Sequence, residues 1–349
     1  MARIVIADDG IEFDGRTPET SPLGGVESSL VNLAEELAGR GHQVLVRNKC
    51  RAPLHHKGVD WAPIDTDRAY GNMPDTADLY IANRGDRLID LMPGAARTVF
   101  WIHNPARYLL KWRYLVKLWR VKPAIVFIGD YHATTYPAWA PGGMRKVIPY
   151  GIPDMFRQAE TNDDVPAPRA VFTSNPLRSL DWLLDQWADD IYPKVPGAEL
   201  HIFSGAATYG AVGDAKHAAM EKVLDQARSL AGKGVVLRGP VAKDVLVEEF
   251  RQARVLLYRG DINETFCLAV GEAQAMGVPA VVENLGSVTE RIVHGKTGFV
   301  CDSKIGFSTS ACEILGDNDL WLNLHRTALD LQRRWGWAEA AEEFEKLIT

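Results

Sequence analysis

Two glutamates in the second half of the chain have a spacing that could hold one ligand from two sides. Glu264 lies in a stretch that indicates a tight turn, and Glu272 follows on the second turn of a short helix predicted over 268–276. A helix that begins just after a turn presents free backbone N–H groups and the positive end of its dipole. Such a helix end suits a phosphate group. Two glutamates at this spacing also occur by chance, and Glu272 alone would more often be a solvated helix residue.

Composition describes an ordinary globular chain with room for more than one core. A length of 349 residues predicts about two domains. Hydrophobic residues make up 46% and charged residues 24%, which is typical of a water-soluble fold. The net charge of -6 argues against general nucleic-acid binding.

The cysteines and the chain start indicate a cytoplasmic protein. Cys50, Cys267, Cys301 and Cys312 are scattered without a C-x-x-C pair, which predicts reduced thiols rather than a disulfide frame or a zinc site. The first residues lack the build of a signal peptide, and no apolar run approaches the roughly 18 residues of a membrane span. A D-x-D triplet at 65–67 follows no obvious strand, so we expect no metal site.

Strands and helices alternate in two separate runs, on either side of a polar, proline-rich stretch at 158–168 that we interpret as a linker. Alternating elements of this kind predict an α/β fold with two doubly wound domains, at 1–155 and 156–333. Ligands of such sheets bind at the carboxyl ends of the strands, and the cleft between two domains is the expected site. The strands are predicted at 3–7, 43–46, 79–82, 98–102, 124–128 and 146–148, and then at 170–173, 199–203, 235–237, 255–258 and 278–282.

The region around the two glutamates resembles the E-x7-E signature of the retaining glycosyltransferases of family 4. The resemblance rests on the turn Glu-Thr-Phe-Cys at 264–267, the short helix, a Gly-x-Pro and an apolar strand. It implies the GT-B fold, in which two Rossmann-like domains face a central cleft and a last helix, here 334–349, packs back on the first domain. The family usually has Glu-Gly-Phe-Gly in the turn, so Thr265 and Cys267 carry side chains where the family has glycine.

The same resemblance assigns roles in binding a nucleotide-diphosphate sugar. It implies that Glu264 touches the donor sugar and that Glu272 binds the ribose hydroxyls, which suits a carboxylate because it accepts two hydroxyl donors. It also implies a sugar contact for His103, although a lone histidine at a strand end is more often structural. The backbone of Phe266, Cys267 and Leu268 would bind phosphate and sugar, Val241 would lie at the base, and Gly24 and Gly25 would approach the phosphate from the first domain.

Two arginines are candidates for the diphosphate, which needs cations as negative charge develops on the leaving group. Arg178-Ser179 stands where the family has a Lys-Gly pair. The family also carries an arginine about five residues earlier, where this chain has Thr-Ser-Asn at 173–175. We expect Arg259, at the end of the strand 255–258, to supply that missing charge. Either arginine could instead form a surface salt bridge.

Two further segments have an ordinary and a functional interpretation. The acidic loop that includes Asp9 and Asp14 is either a solvated loop or an acceptor site for hydroxyl-rich sugars. A basic aromatic segment at 105–122, if helical, has two apolar faces with cations between them, and suits either packing with a solvated rim or an anionic membrane surface. Its expected membrane-facing residues are Arg107, Lys111, Trp112, Arg113, Lys117, Trp119 and Arg120.

The resemblance therefore implies a retaining, metal-independent glycosyltransferase that needs no cofactor. Its partners would be a nucleotide sugar and a glycan or lipid-linked acceptor, in cell-envelope polysaccharide or glycolipid synthesis on the inner face of the membrane. A nucleotide-sugar epimerase or phosphorylase on the same fold remains an alternative. A non-catalytic subunit that binds a nucleotide sugar is another.

Overall fold

The computed structural model describes residues 1–21, 23–65, 72–205 and 210–348, without the side chains of residues 210–215. The chain divides into two compact units, one formed by Met1–Gly151 with Trp337–Thr349 and the other by Ile152–Gly336. Pro22, in the glycine loop before the first long helix, lies outside the described residues. So do two members of the D-x-D triplet, Thr66 and Asp67.

The first unit is built on an eight-stranded sheet. Its elements are β1 (Arg3–Asp8), α1 (Thr17–Thr20), α2 (Gly25–Gly39), β2 (Gln43–Asn48), β3 (Leu54–His56), β4 (Val59–Pro63), β5 (Ala77–Asn83), β6 (Ala95–Trp101), α3 (Trp112–Val121), β7 (Ala124–Phe127), α4 (Asp130–Thr134) and β8 (Arg145–Val147), with 3-10 turns at Asp86–Leu88 and Ala106–Leu110. The strand order is β3-β4-β2-β1-β5-β6-β7-β8, and every pair is parallel except β3 with β4. Central strands of a parallel sheet are covered on both faces, and Val5, Ile6, Tyr80 and Ile81 are accordingly inaccessible to solvent.

The antiparallel edge of this sheet was not expected from the sequence. β3 and β4 form a hairpin in which His56 pairs with Val59, so Lys57 and Gly58 are the two turn residues. Both have positive φ, at 45° and 77°, as a tight hairpin turn requires. The usual sequence signal for such a turn is Asn-Gly or Asp-Gly, and lysine in the first place hides it.

The second unit is built on a six-stranded, fully parallel sheet with the order β11-β10-β9-β12-β13-β14. Its elements are α5 (Asp154–Arg157), β9 (Arg169–Phe172), α6 (Leu180–Gln186), β10 (Glu199–Ile202), α7 (Gly210–Ser229), β11 (Val235–Leu237), α8 (Lys243–Arg251), β12 (Val255–Tyr258), α9 (Leu268–Ala275), β13 (Ala280–Glu283), β14 (Gly298–Cys301), α10 (Lys304–Gly316) and α11 (Asn318–Gln332). A π-helical turn, Trp187–Ile191, extends α6, and 3-10 turns lie at Ala231–Lys233 and Val288–Arg291. Two Rossmann-like sheets, parallel except for the β3–β4 pair, confirm the predicted α/β class.

The last helix, α12 (Trp337–Glu345), belongs to the first unit. It packs on α2, where Glu345 accepts hydrogen bonds from Arg40 at 2.7 Å and contacts the His42 ring nitrogen at 2.7 Å. Trp337 and Phe344 on its inner face are buried. The chain thus returns to its first unit at the C-terminal end.

The segment 158–168, expected as a linker, lies inside the second unit, whose boundary is at Gly151 and Ile152. Three contacts tie it there. Arg333 donates to the Ala159 carbonyl at 2.9 Å, Arg251 donates to the Glu160 carbonyl at 2.9 Å, and Asp163 pairs with an arginine of α11 at 2.6 Å. A polar, proline-rich composition does not distinguish a linker from a surface strap held by arginines.

Candidate functional site

The two glutamates lie at the carboxyl edge of the second unit's sheet, on either side of the start of α9. Glu264 lies in the loop that follows β12, and its Oε2 accepts a hydrogen bond from the Tyr258 hydroxyl at 2.5 Å. Glu272 lies on α9 with a side chain only 4% exposed. The predicted local structure, a turn and then a short helix, is what the chain adopts.

The turn that carries Glu264 is held by the loop after β13. The Glu264 N–H donates to the Asp261 carbonyl at 2.9 Å, and the Ser287 N–H donates to the Glu264 carbonyl at 3.3 Å. Gly286 has a φ of 62°, and a Cβ there would lie 2.3 Å from the Asp261 carbonyl oxygen. Glycine at this position is therefore needed for the close approach of the two loops. No local pattern indicates that contact, because a helix and a strand separate the two loops in the sequence.

Glu264 and Arg178 are electrostatically coupled. Burial raises the pKa of the Glu264 carboxyl, while the hydrogen bond from Tyr258 and the charge of Arg178 act to lower it. For Arg178, burial acts to lower the guanidinium pKa, but attraction to Glu264, Tyr258 and Asp261 outweighs it and raises the pKa. Arg178 also pairs with Asp261 at 3.0 Å. The fold therefore brings together the predicted sugar-contacting carboxylate and the predicted phosphate cation.

Two residues that replace family glycines keep a backbone conformation that favours glycine. Ser179 has a φ of 60° and Cys267 a φ of 65°, both in the left-handed region. A side chain in this region costs on the order of 1 kcal/mol. Cys267 precedes the first residue of α9, and its thiol is buried, which raises the thiol pKa well above its ordinary value. The loop geometry that the resemblance implies is thus retained without the glycines.

Arg259, expected to supply a second phosphate cation, already has two partners. Its Nε donates to Glu283 Oε2 at 2.7 Å, and its guanidinium lies over the Trp182 ring at 5.0 Å from the ring centre. The side chain remains 35% exposed. A role in phosphate binding stays a prediction, and it would require the cation to serve a ligand and Glu283 together.

Glu272 has a partner that sequence reasoning missed. Lys243, the first residue of α8, donates to both carboxylate oxygens of Glu272, at 2.7 Å and 2.6 Å. Its Nζ also lies 5.7 Å from the centre of the Phe156 ring. Val241, the predicted base contact, is half-buried in the loop just before this helix. The signal available in the sequence was that Lys243 lies only two residues after Val241, the predicted base contact.

The turn residues between the glutamates are packed rather than open. Phe266 is 2% exposed, with the Arg291 guanidinium 4.3 Å from its ring centre. Thr265 is buried, and Leu268 begins α9. These positions anchor the helix start, and the predicted phosphate and sugar contacts of their backbone stay predictions.

In the first unit, the carboxyl ends of β1, β5 and β6 meet in a buried polar network. The Asn83 side-chain Nδ2 donates to Asp8 at 2.8 Å, and the Asn83 side-chain Oδ1 contacts His103 Nε2. His103 Nδ1 lies 2.5 Å from the Tyr150 hydroxyl. Burial lowers the pKa of His103 well below its ordinary value. Both ring nitrogens are engaged and the ring is 3% exposed, so its sugar contact stays a prediction.

Arg84 joins this network to the glycine loop and was missed from the sequence. Its guanidinium pairs with Asp8 at 3.0 Å and with Glu27 at 2.8 Å, and its own φ is 58°. Gly24 caps α2, and a Cβ there would lie 2.5 Å from Glu27 Oε2. Gly24 thus leaves room for the Glu27 carboxylate, and Gly25 begins the helix that carries it.

The two predicted acceptor carboxylates are held locally. Asp14 Oδ1 accepts from the Arg16 N–H at 2.9 Å and from the Thr17 N–H at 3.1 Å, so it fixes the turn that leads into α1. Asp9 lies against Gly85, whose Cβ position would be 2.3 Å from Asp9 Oδ1. Burial and the neighbouring Asp8 raise the pKa of Asp9. Acceptor binding by either residue stays a prediction.

The basic aromatic segment is not one helix. Lys111 is extended, with φ of -70° and ψ of 139°, and separates a 3-10 turn from α3. Tyr114 and Leu118 face inward from α3, while Trp112 and Trp119 are 78% and 70% exposed. Because of the break at Lys111, the two apolar faces expected along one helix over 105–122 do not form.

The charge of this segment is also smaller than its sequence indicates. Lys117 pairs with Asp90 at 2.9 Å and donates to the Asp86 carbonyl at 3.0 Å, so its expected outward orientation is wrong. Arg120 pairs with Asp90 as well, and Arg113 with Asp86 at 3.3 Å. Arg107 and Lys111 are exposed. Asp86 begins the 3-10 turn that precedes the segment and Asp90 lies just after that turn, and folding brings both beside α3.

Metal-binding groups, membrane-spanning helices and disulfide bonds each bear on the class of site. Among the described residues, His, Cys, Asp and Glu side chains form no group of three or more that could hold a metal ion. Within the same part of the chain, no helix has both the length and the apolar character that crossing a membrane requires. Cys50, Cys267, Cys301 and Cys312 are free thiols.

Part of the chain is similar in sequence to known glycosyltransferases. Residues 167–317 match the model of the glycosyl transferases group 1. The D-inositol 3-phosphate glycosyltransferase of Corynebacterium efficiens is 26% identical over 112 residues, which cover 32% of this chain and 26% of that protein. The match therefore spans about a quarter of the relative's length.

Solved structures share the fold along the whole chain. The sucrose-phosphate synthase of Thermosynechococcus elongatus aligns with a TM-score of 0.73 at 14% identity, over 99% of this chain and 98% of that one. HepE of Anabaena, in complex with UDP and glucose, aligns with a TM-score of 0.72 at 13% identity, over 99% of each chain. These likenesses show the fold, which is GT-B. The match to the glycosyl transferases group 1 is confined to residues 167–317, less than half of the chain.

Proposed function

We propose that this protein is a retaining glycosyltransferase that moves a sugar from a nucleotide-diphosphate sugar to a hydroxyl of a glycan or lipid-linked acceptor. The observation that carries the proposal is the start of α9, flanked by Glu264 and Glu272 and faced by Arg178 at the carboxyl edge of the second sheet. Ligands of parallel α/β sheets bind at this edge.

Three parts of such a donor, the diphosphate, the ribose and the transferred sugar, have matching groups in the second unit. The helix N-terminus and Arg178 suit the diphosphate, because they supply N–H groups and positive charge where the leaving group becomes more negative. Glu272 suits the ribose diol, and Glu264 suits the hydroxyls of the transferred sugar. The pairing of Arg178 with Asp261 leaves the guanidinium 35% exposed, so it can also serve a phosphate.

In the proposed reaction, the acceptor oxygen attacks the anomeric carbon on the face from which the nucleotide departs. The new bond joins that carbon to the acceptor oxygen as its bond to the phosphate oxygen breaks. The departing phosphate takes the acceptor's proton, so neither a strong protein base nor a metal ion is required. In this reaction Glu264 orients the transferred sugar. It does so as a carboxylate that accepts hydrogen bonds from the sugar hydroxyls, and its raised pKa sets a lower limit on the pH at which it is ionised.

The similar proteins give more support to the proposed class of donor, a nucleotide sugar, than to any proposed acceptor. A protein of the same fold is in complex with UDP and glucose, and one with local sequence similarity is described as a D-inositol 3-phosphate glycosyltransferase. We therefore propose UDP-sugars as the first donors to test. A role in cell-envelope polysaccharide or glycolipid synthesis is part of the proposal and follows from the expected glycan or lipid-linked acceptor.

We also propose that α3 rests on an anionic membrane surface in the cytoplasm. Trp112, Val116 and Trp119 form an exposed stripe at intervals of four and three residues, with Lys111 exposed beside it. Tryptophans at the polar–apolar boundary with adjacent cations are typical of helices that lie in a membrane interface. The pairing of Lys117 and Arg120 with Asp90 limits the electrostatic contribution, so the apolar stripe carries this proposal.

A binding assay followed by a transfer assay tests the proposed activity. We expect a UDP-, GDP- or ADP-sugar to raise the thermal midpoint, because a ligand that binds the folded state stabilises it by mass action. Glu264→Gln should keep that shift and lower transfer by roughly a hundredfold or more. Glu248→Gln, an exposed glutamate on α8, is the matched control and should change neither.

The outcomes separate the alternative functions. Conversion of the donor sugar without any acceptor would indicate an epimerase, and transfer from a sugar phosphate would indicate a phosphorylase. Binding without turnover over a broad acceptor panel would indicate a non-catalytic subunit. Failure of all three classes of nucleotide sugar to bind would contradict the proposed function itself.

A further inference from the structure

The pairing of Lys243 with Glu272 is unusual for the place at which it occurs. Lys243 is the first residue of α8, where the helix dipole presents positive charge and disfavours a cation. Its side chain is 48% exposed, yet it is directed to a carboxylate that is only 4% exposed. The helix dipole therefore does not favour a lysine at this position, and the contact that its side chain makes is with Glu272.

The geometry of the pair leaves the carboxylate able to bind a diol. Lys243 Nζ contacts both oxygens of Glu272, at 2.7 Å and 2.6 Å. Each carboxylate oxygen can accept two hydrogen bonds, so one acceptor position per oxygen remains. The two hydroxyls of a diol can each donate to one of these oxygens only when the carboxylate is held in one orientation. A cation that contacts both oxygens restricts rotation of the carboxylate and so fixes its orientation.

We propose that Lys243 is a positioning residue for ribose recognition, which holds the Glu272 carboxylate so that it accepts the 2′- and 3′-hydroxyls of the donor nucleotide. This inference rests on the proposed function, because it assigns the ribose to Glu272. Without Lys243 the buried carboxylate loses its countercharge, and such a group turns toward water or disrupts its surroundings. The diol would then meet a carboxylate in the wrong orientation.

The experiment compares two nucleotides on the same variants. UDP and 2′,3′-dideoxy-UDP differ only in the diol. A substitution that acts through recognition of the diol therefore weakens the binding of UDP and leaves the binding of the dideoxy nucleotide unchanged. We expect Lys243→Met to weaken UDP binding by roughly tenfold or more, as for a hydrogen bond to a charged group. Binding of the dideoxy nucleotide should stay unchanged, and Lys243→Arg should restore most of the affinity for UDP. If UDP does not bind, GDP and ADP with their dideoxy forms replace it.

A matched control and a second variant separate positioning from stability. Arg169 pairs with the buried Glu249 at 3.4 Å from the amino end of β9, away from the carboxyl edge, so Arg169→Met should leave both affinities unchanged. In a Glu272→Gln background, Lys243→Met should have no further effect on UDP binding, because coupled residues are not additive.

Three results would overturn the inference while leaving the proposed function in place. Equal weakening of both nucleotides would make the pair a structural salt bridge only. Unchanged UDP affinity would remove Lys243 from recognition. Tighter UDP binding would show that Lys243 competes with the ribose. If the wild-type protein bound no nucleoside diphosphate at all, the proposed function and the inference would both fail.

Discussion

The Tyr258 hydroxyl donates a hydrogen bond to Glu264 over 2.5 Å and so connects the last residue of β12 to the turn that precedes α9. The contact lies at the carboxyl edge of the sheet, beside Arg178. It means that the ionisation of Glu264 depends on a strand residue that does not belong to the E-x7-E pattern. That dependence leads to the first prediction.

Tyr258→Phe should move the acid limb of the transfer reaction to higher pH. Burial raises the Glu264 pKa, and the Tyr258 hydrogen bond opposes that rise. Removal of the hydroxyl therefore raises the pKa further, and the carboxylate is protonated at a higher pH as the solution is acidified. The measurement is kcat/KM across the acidic to neutral range, and Tyr192→Phe in the same unit is the control. A limb that stays in place, or moves to lower pH, would show that Glu264 does not act as a carboxylate.

At position 267 a glycine variant should be more stable than an alanine variant, which is the reverse of the usual order of stability. The residue has a φ of 65°, so Cys267→Ala keeps the left-handed cost that Cys267→Gly removes. Both variants lose the buried thiol, and we expect the glycine variant to be more stable by about 1 kcal/mol. Denaturant unfolding measures the difference. Cys301, in the extended strand β14, is the matched site, and there alanine should be the more stable.

Glu345→Gln should destabilise the protein near neutral pH and less so in acid. The hydrogen bond from Arg40, with His42, holds the Glu345 pKa at about 2, below its ordinary 4.5. A carboxyl with a lowered pKa in the folded state stabilises above its ordinary pKa, and this stabilisation is lost as the pH falls toward the folded-state value. We expect the thermal midpoint to fall by about 1 to 2 °C at neutral pH. The difference in thermal midpoint between the wild-type protein and Glu345→Gln should become smaller as the solution is acidified.

The matched control for Glu345 lies on the same helix. Glu342 is 57% exposed and forms its ion pair with Lys346, so Glu342→Gln should change the midpoint little at any pH. If the two substitutions had equal effects, the contact between α12 and α2 would not stabilise the first unit. A deficit for Glu345→Gln that grows in acid would contradict the expected direction of the pH dependence.

The exposed tryptophans of α3 should be needed for membrane binding. We expect the protein to float with vesicles of phosphatidylcholine and phosphatidylglycerol, and Trp112→Ala with Trp119→Ala to abolish flotation. Trp139 is 73% exposed but lies outside α3, so Trp139→Ala is the matched control and should bind as wild type does. Absence of flotation at moderate salt, or equal loss with Trp139→Ala, would contradict the proposed surface.

The α/β class and the turn-then-helix around Glu264 and Glu272 were predictable because each is a local property of the chain. Apolar strands, helical periodicity and Gly277 after α9 need no long-range information. The hairpin of β3 and β4 was missed because Lys57 occupies a turn position that asparagine or aspartate usually marks. The extended Lys111, which divides the segment at 105–122, was missed because its neighbours continue a helical pattern.

The sequence by itself determined the two runs of alternating strands and helices and the resemblance to family 4, since both follow from residue order. Only the tertiary structure decided which charges meet. Lys243 reaches Glu272 and Arg84 reaches Asp8 and Glu27, while Asp86 and Asp90 neutralise much of the charge on α3. These partners lie far apart in the sequence or on different elements, and parallel sheets bring them together by aligning the ends of non-adjacent strands. No local pattern encodes such a meeting, because the attraction between charges depends on their distance in space and on their burial.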